Sequence, residues 1–227
     1  GNAGPIATSL QSFDRYQRES AWTWEHMALT RARVVCGDAE LAARVEAIIR
    51  RTLTTPRDAA KLVADVAEMR ELMAREHRSA NRWEVKHRRG GLVDIEFIAQ
   101  WLQLGHGADH PDILASNTRA VLERATATGL LARGDHDSLV EAWRLWSAVQ
   151  LVLRQTVAGA FDETTAPRGL KEVMVRATGL TDFKTLVDRM DDCAAAALEV
   201  FDRLIAQPGR QARQRLGGDG RPTTEKP

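Results

Sequence analysis

The sequence predicts an all-α fold, a helical bundle of about seven to eight helices with short connections. Three observations carry this prediction. Ala, Leu, Arg and Glu dominate the chain, and all four favour helix. Runs of alternating β-branched residues are absent from the sequence. Apolar residues instead recur three and four positions apart in one segment after another.

The first helix is predicted over residues 10–35, capped by Ser9, with Leu10, Phe13, Gln17, Ala21, Trp24, Ala28 and Ala32 along one stripe. Gly37-Asp38 stops it and caps a second helix reaching residue 53. Thr55-Pro56-Arg57-Asp58 breaks and restarts the chain, and a third helix over 59–77 turns Leu62, Val66, Met69 and Met73 inward. Residues 78–89 are polar and basic apart from Trp83 and Val85, and read as a loop containing a short extended stretch. The fourth helix, 92–104, ends at Gly105-His106-Gly107. Asn117 caps a fifth that runs to 126 and closes at Gly129. The sixth, 135–157, places Leu139, Trp143, Trp146, Val149 and Leu153 at helical spacing, so both tryptophans read as core. After a loop holding Pro167, the seventh spans 170–178 and stops at Gly179; the eighth spans 181–206. From Pro208 onward Gly, Arg, Gln, Pro and Lys dominate. Residues 208–227 therefore read as a disordered tail, with Arg210, Arg213 and Arg215 as solubilising charge.

The 227 residues carry 32 Lys plus Arg against 31 Asp plus Glu, a net charge of +1. That balance predicts no general attraction to nucleic acid or to an acidic membrane. No apolar run reaches the roughly 20 residues of a membrane span, and no signal peptide is read. Cys36 and Cys193 fit no metal or redox spacing, so a reduced, cytoplasmic protein is expected. Of the histidines, His106 and His110 are four apart, but Gly107 and Pro111 argue against a helix there. All six read as surface residues.

RRGGLVDIEFIAQWLQ, residues 88–103, supports two incompatible readings. As a strand, Asp94 and Glu96 would share one side and could hold Mg²⁺ for nucleotidyl transfer. The apolar run then continues through residue 104 without a turn, long for a strand of roughly 5–6 residues. As a helix, Leu92, Ile95, Ile98 or Ala99, and Leu102 form one apolar face, and Asp94 falls in the first turn, where a carboxylate suits the positive helix end. Positions i and i+2 of a helix lie about 200° apart, so the two carboxylates could not chelate one ion. The helix is the better reading.

Three segments, SFDRYQRESAWTWEHMALTRARVVCGD (12–38), RRGGLVDIEFIAQWLQL (88–104) and SNTRAVLERATATGLL (116–131), together resemble the bacterial glutamine synthetase adenylyltransferase family. The likeness extends more weakly to about residue 206. The resemblance implies a parent protein with two similar halves, each a nucleotidyltransferase core followed by a helical domain. It implies that this chain is the helical domain of the C-terminal, adenylylating half. Residues 1–9 would be the linker from the absent upstream core, 10–207 the bundle, and 208–227 the tail. The core's metal carboxylates would lie upstream. The parent would transfer AMP from ATP, with Mg²⁺, to a tyrosine of glutamine synthetase; the other half would remove AMP by phosphorolysis. Glutamine as effector and the PII signalling protein would set the balance.

Candidate site residues follow on two elements. Arg88, Arg89, Gly90 and Gly91 precede a helix start, where free amides and guanidinium groups would suit a phosphate; a solvated basic loop fits the same residues equally well. Trp22, Glu25 and Leu29 lie on a different stripe from Trp24 and Ala28, which predicts that the first helix touches both the bundle and the upstream core. Glu25 with Arg31 or Arg33 is read either as part of a cleft floor or as a structural ion pair, and Glu96 is expected to pair with an arginine of the first helix. Two other functions stay open: a stand-alone metal-dependent nucleotidyltransferase using Asp94 and Glu96, and a purely structural helical adaptor.

Overall fold

The computed structural model describes residues 7–78 and 80–217, and among these every regular element is helical. Ten α-helices are formed: α1 (Leu10–Glu19), α2 (Thr23–Leu29), α3 (Ala39–Leu53), α4 (Ala59–Glu76), α5 (Leu92–His106), α6 (Thr118–Ala127), α7 (Arg133–Thr156), α8 (Arg168–Thr178), α9 (Phe183–Phe201) and α10 (Gln207–Gly217). A 3₁₀ turn, Pro111–Ile113, precedes α6, and a π-helical turn, Asp202–Ala206, joins α9 to α10. The starts obey local chemistry. Ser9, Asp38, Asp58, Asn117 and Asp182 each accept a hydrogen bond from the amide three residues on, satisfying a donor the helix itself leaves free.

The bundle closes around α5. Leu92, Val93, Ile95, Phe97, Ile98, Ala99, Leu102 and Leu104 are all buried, so this helix is apolar nearly all round and is covered by α4, α6, α7, α9 and α2. Trp146 of α7 is fully buried beside it, as the sequence predicts. Residues 80–91 form turns rather than an extended stretch, anchored by buried Trp83 and Val85. Trp83 stacks on Phe183, meets Phe161 edge-on, and donates its indole N–H to Glu163 at 3.0 Å.

Two helix boundaries differ from those expected. The helix predicted over 10–35 is broken at residues 20–22 and ends at Leu29. Ser20 and Ala21 both donate to the Tyr16 carbonyl, which turns the chain, and the Glu25 carboxylate reaches back to the Trp22 amide at 2.9 Å to start α2. The predicted tail is helical over 208–217. Gly209 and Ala212 are buried, and α10 lies so close to α4 that a Cβ on Gly209 would stand 2.5 Å from the Ala67 Cβ. Arg213, expected to be solubilising charge, clamps Glu71 of α4 with two hydrogen bonds, 2.6 and 3.0 Å. Residues 218–227 of that tail and residues 1–6 of the linker lie outside the described residues.

Candidate functional site: the glycine turn and the start of α5

Asp94 lies in the first turn of α5 with its side chain wholly buried. One carboxylate oxygen accepts from the Nε of Arg70 on α4 at 2.5 Å; the other accepts from the Gly90 amide at 2.5 Å. Arg70, itself fully buried, donates through Nη2 to the carbonyls of His87 and Arg88, 3.0 and 3.3 Å away. A buried guanidinium thus ties the turn to α4, and the carboxylate that neutralises it also fixes the glycine pair.

Gly90 has φ +73°, and a Cβ there would sit 1.9 Å from the Ala194 carbonyl oxygen of α9. Only glycine meets both demands. Its carbonyl accepts the indole N–H of Trp146 at 3.0 Å, so α5, α7 and α9 converge on one residue.

This geometry engages most of the groups that the phosphate reading of Arg88–Gly91 relies on. The Gly90 amide is taken by Asp94. Those of Gly91, Leu92 and Val93 donate to the carbonyls of Arg88, Val85 and Lys86. The four amides from Gly90 to Val93 are therefore all engaged. Arg88 donates to the Arg82 carbonyl and pairs with Asp191 at 3.4 Å; Arg89 pairs with Asp202 at 3.3 Å and lies 3.7 Å from Asp94. Both guanidinium groups also cover aromatic rings, Arg88 over Trp146 and Arg89 over Phe201.

Glu96 leaves α5 elsewhere and pairs with Arg31 at 2.7 Å, the partnership expected from the sequence. Asp94 and Glu96 therefore serve different arginines, and no shared metal position arises. Among the described residues no group of three or more His, Cys, Asp or Glu side chains could hold a metal ion. The expected pairing of Glu25 with Arg31 or Arg33 is not formed. Glu25 accepts from the Tyr16 hydroxyl at 2.5 Å and the Trp22 amide, Arg31 is taken by Glu96, and Arg33 is exposed.

Histidines are where the sequence reading missed most. His26 is buried: its Nε2 lies 3.0 Å from the Gln17 carbonyl and its Nδ1 3.0 Å from Arg57 Nη1, which sets Nε2 as the donor and Nδ1 as the acceptor. Burial and the Arg57 guanidinium lower its pKa. His87 stacks on His77 with ring centroids 3.9 Å apart; burial, then His77, Lys86 and Arg70, push it down to about 4. The Thr55-Pro56-Arg57-Asp58 break is the only sequence signal near the His26 cluster. A cleft of about 550 Å³ lies along α7 towards α8 and α9 and is lined by Glu141, Arg144 and Arg189, of which Glu141 and Arg189 pair with each other.

Comparison with known proteins fits this arrangement. Residues 1–48 match the family model for glutamate–ammonia ligase adenylyltransferase, and residues 60–205 match that for the PII-uridylyltransferase. The chain is 46% identical over 205 residues to a bifunctional glutamine synthetase adenylyltransferase/adenylyl-removing enzyme of Rhodopseudomonas palustris strain TIE-1, covering 90% of this chain and 21% of that protein. The chain belongs to the glutamine synthetase adenylyltransferase family. Proteins of the same description from Bradyrhizobium diazoefficiens and Xanthobacter autotrophicus are 43% and 41% identical, again across 90% of this chain and 21% of theirs. The chain thus spans about a fifth of the length of these relatives. The segment matched by the PII-uridylyltransferase model runs over the helices from α4 through α9.

Proposed function

We propose that this chain is the helical, regulatory and substrate-facing domain of an enzyme that transfers AMP from ATP to a tyrosine of glutamine synthetase and, in its opposing half, removes it. The observation that carries this reading is the identity of 41–46% across nine-tenths of the chain to proteins named for those activities. Among the described residues no group of three or more His, Cys, Asp or Glu side chains could hold Mg²⁺. The acidic pair Asp94 and Glu96 is split between Arg70 and Arg31, and Asp94 is sealed from solvent. ATP and Mg²⁺ belong in this reading to a nucleotidyltransferase core upstream, in the adenylylating half, and the bundle supplies shape and contacts rather than chemistry. The match of residues 60–205 to an enzyme family named for acting on PII supports placing the response to PII on the bundle, and in this reading glutamine acts as effector of the same enzyme. The setting is cytoplasmic. Consistently, no helix among the described residues is long and apolar enough to cross a membrane, and the near-neutral charge gives no footprint for nucleic acid.

The test uses a longer protein carrying this chain, purified glutamine synthetase, ATP and Mg²⁺, with adenylylation read by mass spectrometry. Transfer is expected with the longer protein and not with the 227-residue chain alone. Transfer by the isolated chain, or none by the longer protein, would refute the assignment.

A further inference from the structure

One cleft of this bundle carries an excess of positive charge. It measures about 350 Å³ and lies between the turns of residues 80–91 and the end of α7. Lys86, His87, Gln150 and Arg154 line it together with apolar Leu153 and Phe161. Its volume falls within the range of small-molecule sites, about 300–1,000 Å³. Glu84, which is exposed, is the one carboxylate among the described lining residues. Two other clefts differ in charge. The 550 Å³ cleft along α7 carries Glu123, Asp137 and Glu141, and a smaller one beside Arg57 carries Asp58 and Asp65.

The walls of this cleft are fixed, while the charged groups on them are idle. Asn81 donates to the Phe161 carbonyl at 2.9 Å, and Trp83 meets the Phe161 ring edge-on, which ties the two sides together. Among the described residues, the side chains of Lys86, Gln150 and Arg154 make no hydrogen bond or ion pair. Arg88 and Arg89, from the same turn, are engaged by Asp191 and Asp202. The cations of the turn thus divide into a satisfied set facing α9 and an unsatisfied one facing α7. His87 adds an independent sign, because its Nδ1 is buried without a hydrogen-bond partner. Burial and then His77, Lys86 and Arg70 hold it down at about 4, and no carboxylate is among the groups that shift it. The carbonyls at the end of α7, which would repel an anion, are in part taken. That of Val152 accepts the Thr156 hydroxyl at 2.7 Å, and that of Leu153 the Val157 amide at 2.9 Å.

We infer that this cleft binds a phosphate group, as inorganic phosphate or as the phosphoryl end of a small metabolite, between Lys86 and Arg154. A guanidinium fork and an ammonium together match a dianion with three or more acceptor oxygens, whereas one carboxylate would neutralise only one of them. The Gln150 amide is a further donor, and Leu153 and Phe161 offer apolar wall to the carbon part of an ester. The groups involved are not those of the glycine turn, whose amides from Gly90 to Val93 are engaged. The inference goes beyond the functional reading above and does not depend on it: it makes the bundle a receptor for a small phosphorylated ligand.

Histidine ring signals of the 227-residue chain, followed by NMR at constant ionic strength above the second pKa of phosphate, test it. Inorganic phosphate should move the His87 signals saturably, with half-saturation on the order of 1 mM or below. Those of His110 and His136, which do not line the cleft, should stay in place. Lys86→Ala and Arg154→Ala should each weaken binding by roughly tenfold, the loss of one charge-assisted contact. Both side chains are exposed and unpaired, so the unfolding midpoint of each variant should hold. Glycerol phosphate separates the two sources: tighter binding than phosphate identifies an ester as the ligand, and equal or weaker binding identifies phosphate itself. No shift with either probe overturns the inference. So do shifts that never saturate, that survive both substitutions, or that acetate produces at the same concentration. Glutamine synthetase is absent from this experiment, so failure here leaves the functional reading standing, and failure of AMP transfer leaves the phosphate site standing.

Discussion

Replacing Asp94 with asparagine isolates what the buried carboxylate does. The side chains of Arg70 and Asp94 are 1% and 0% exposed, so water can solvate neither charge. Asparagine keeps the shape and one acceptor oxygen but removes the only buried negative charge that faces Arg70. Stranding one member of such a pair costs about 3–5 kcal/mol. Arg89, 3.7 Å from the same carboxylate, would then add repulsion in place of attraction. The Gly90 amide also loses a charged acceptor. For a domain of this size, 1 kcal/mol shifts the melting midpoint by about 2–4 °C, so a drop of roughly 6–20 °C is expected. Guanidinium unfolding followed by tryptophan fluorescence would measure it. Trp146 donates to the Gly90 carbonyl and therefore reports on the turn itself. The Arg70→Met/Asp94→Leu pair should recover part of the loss, because a matched apolar pair leaves no stranded charge. The recovery is partial since the His87 and Arg88 carbonyls lose their donor. An Asp94→Asn protein within about 0.5 kcal/mol of the parent would refute the structural assignment.

Four further outcomes are expected. Gly90→Ala forces a side chain into a left-handed backbone and against the Ala194 carbonyl, so it should cost at least about 3 kcal/mol or prevent folding, as thermal melts would show. Glu96→Gln breaks an ion pair whose arginine is 49% exposed, so the same measurement should move by no more than about 1 kcal/mol. Ending the chain at residue 207 removes α10, and the unfolding midpoint should fall clearly if the Arg213–Glu71 clamp and the Gly209 contact matter; an unchanged midpoint would mean that α10 adds nothing. His87 titrates near 4 in the folded protein against an ordinary 6.5, so below pH 6.5 the unfolded chain binds more protons. The contribution of His87 should be full above pH 6.5, decline towards pH 4 and level off below it; His26 acts in the same direction, the lowered carboxyl of Glu71 continues the loss at lower pH, and His87→Gln should flatten only part of the slope.

Legibility in the sequence tracked the distance over which a residue's partner lies. Helices α3 to α9 are visible because caps such as Asp38, Asp58, Asn117 and Asp182 and the apolar spacing between them act within one turn. The break at residues 20–22 is invisible because the stripe from Leu10 to Ala32 runs straight through it. The turn is made by a carboxylate bridging Tyr16 and Trp22, a contact that no periodicity encodes. Helix α10 is invisible for the opposite reason. Its composition reads as disorder, and it is helical because Gly209 and Ala212 let it approach α4. The site shows the same limit most sharply. That Asp94 and Glu96 cannot share an ion follows from the helix alone, whereas the partner of Asp94 lies 24 residues back on α4 and that of Glu96 lies just past α2. Two carboxylates that imitate a metal site are separate staples holding α5 to its neighbours, and the Arg-Arg-Gly-Gly sequence before them is shaped by the same packing. The glycine is required by a carbonyl of α9, and the arginines are spent on Asp191 and Asp202. A motif whose amides from Gly90 to Val93 and whose two arginines are engaged within the bundle has less to offer a nucleotide than its sequence suggests.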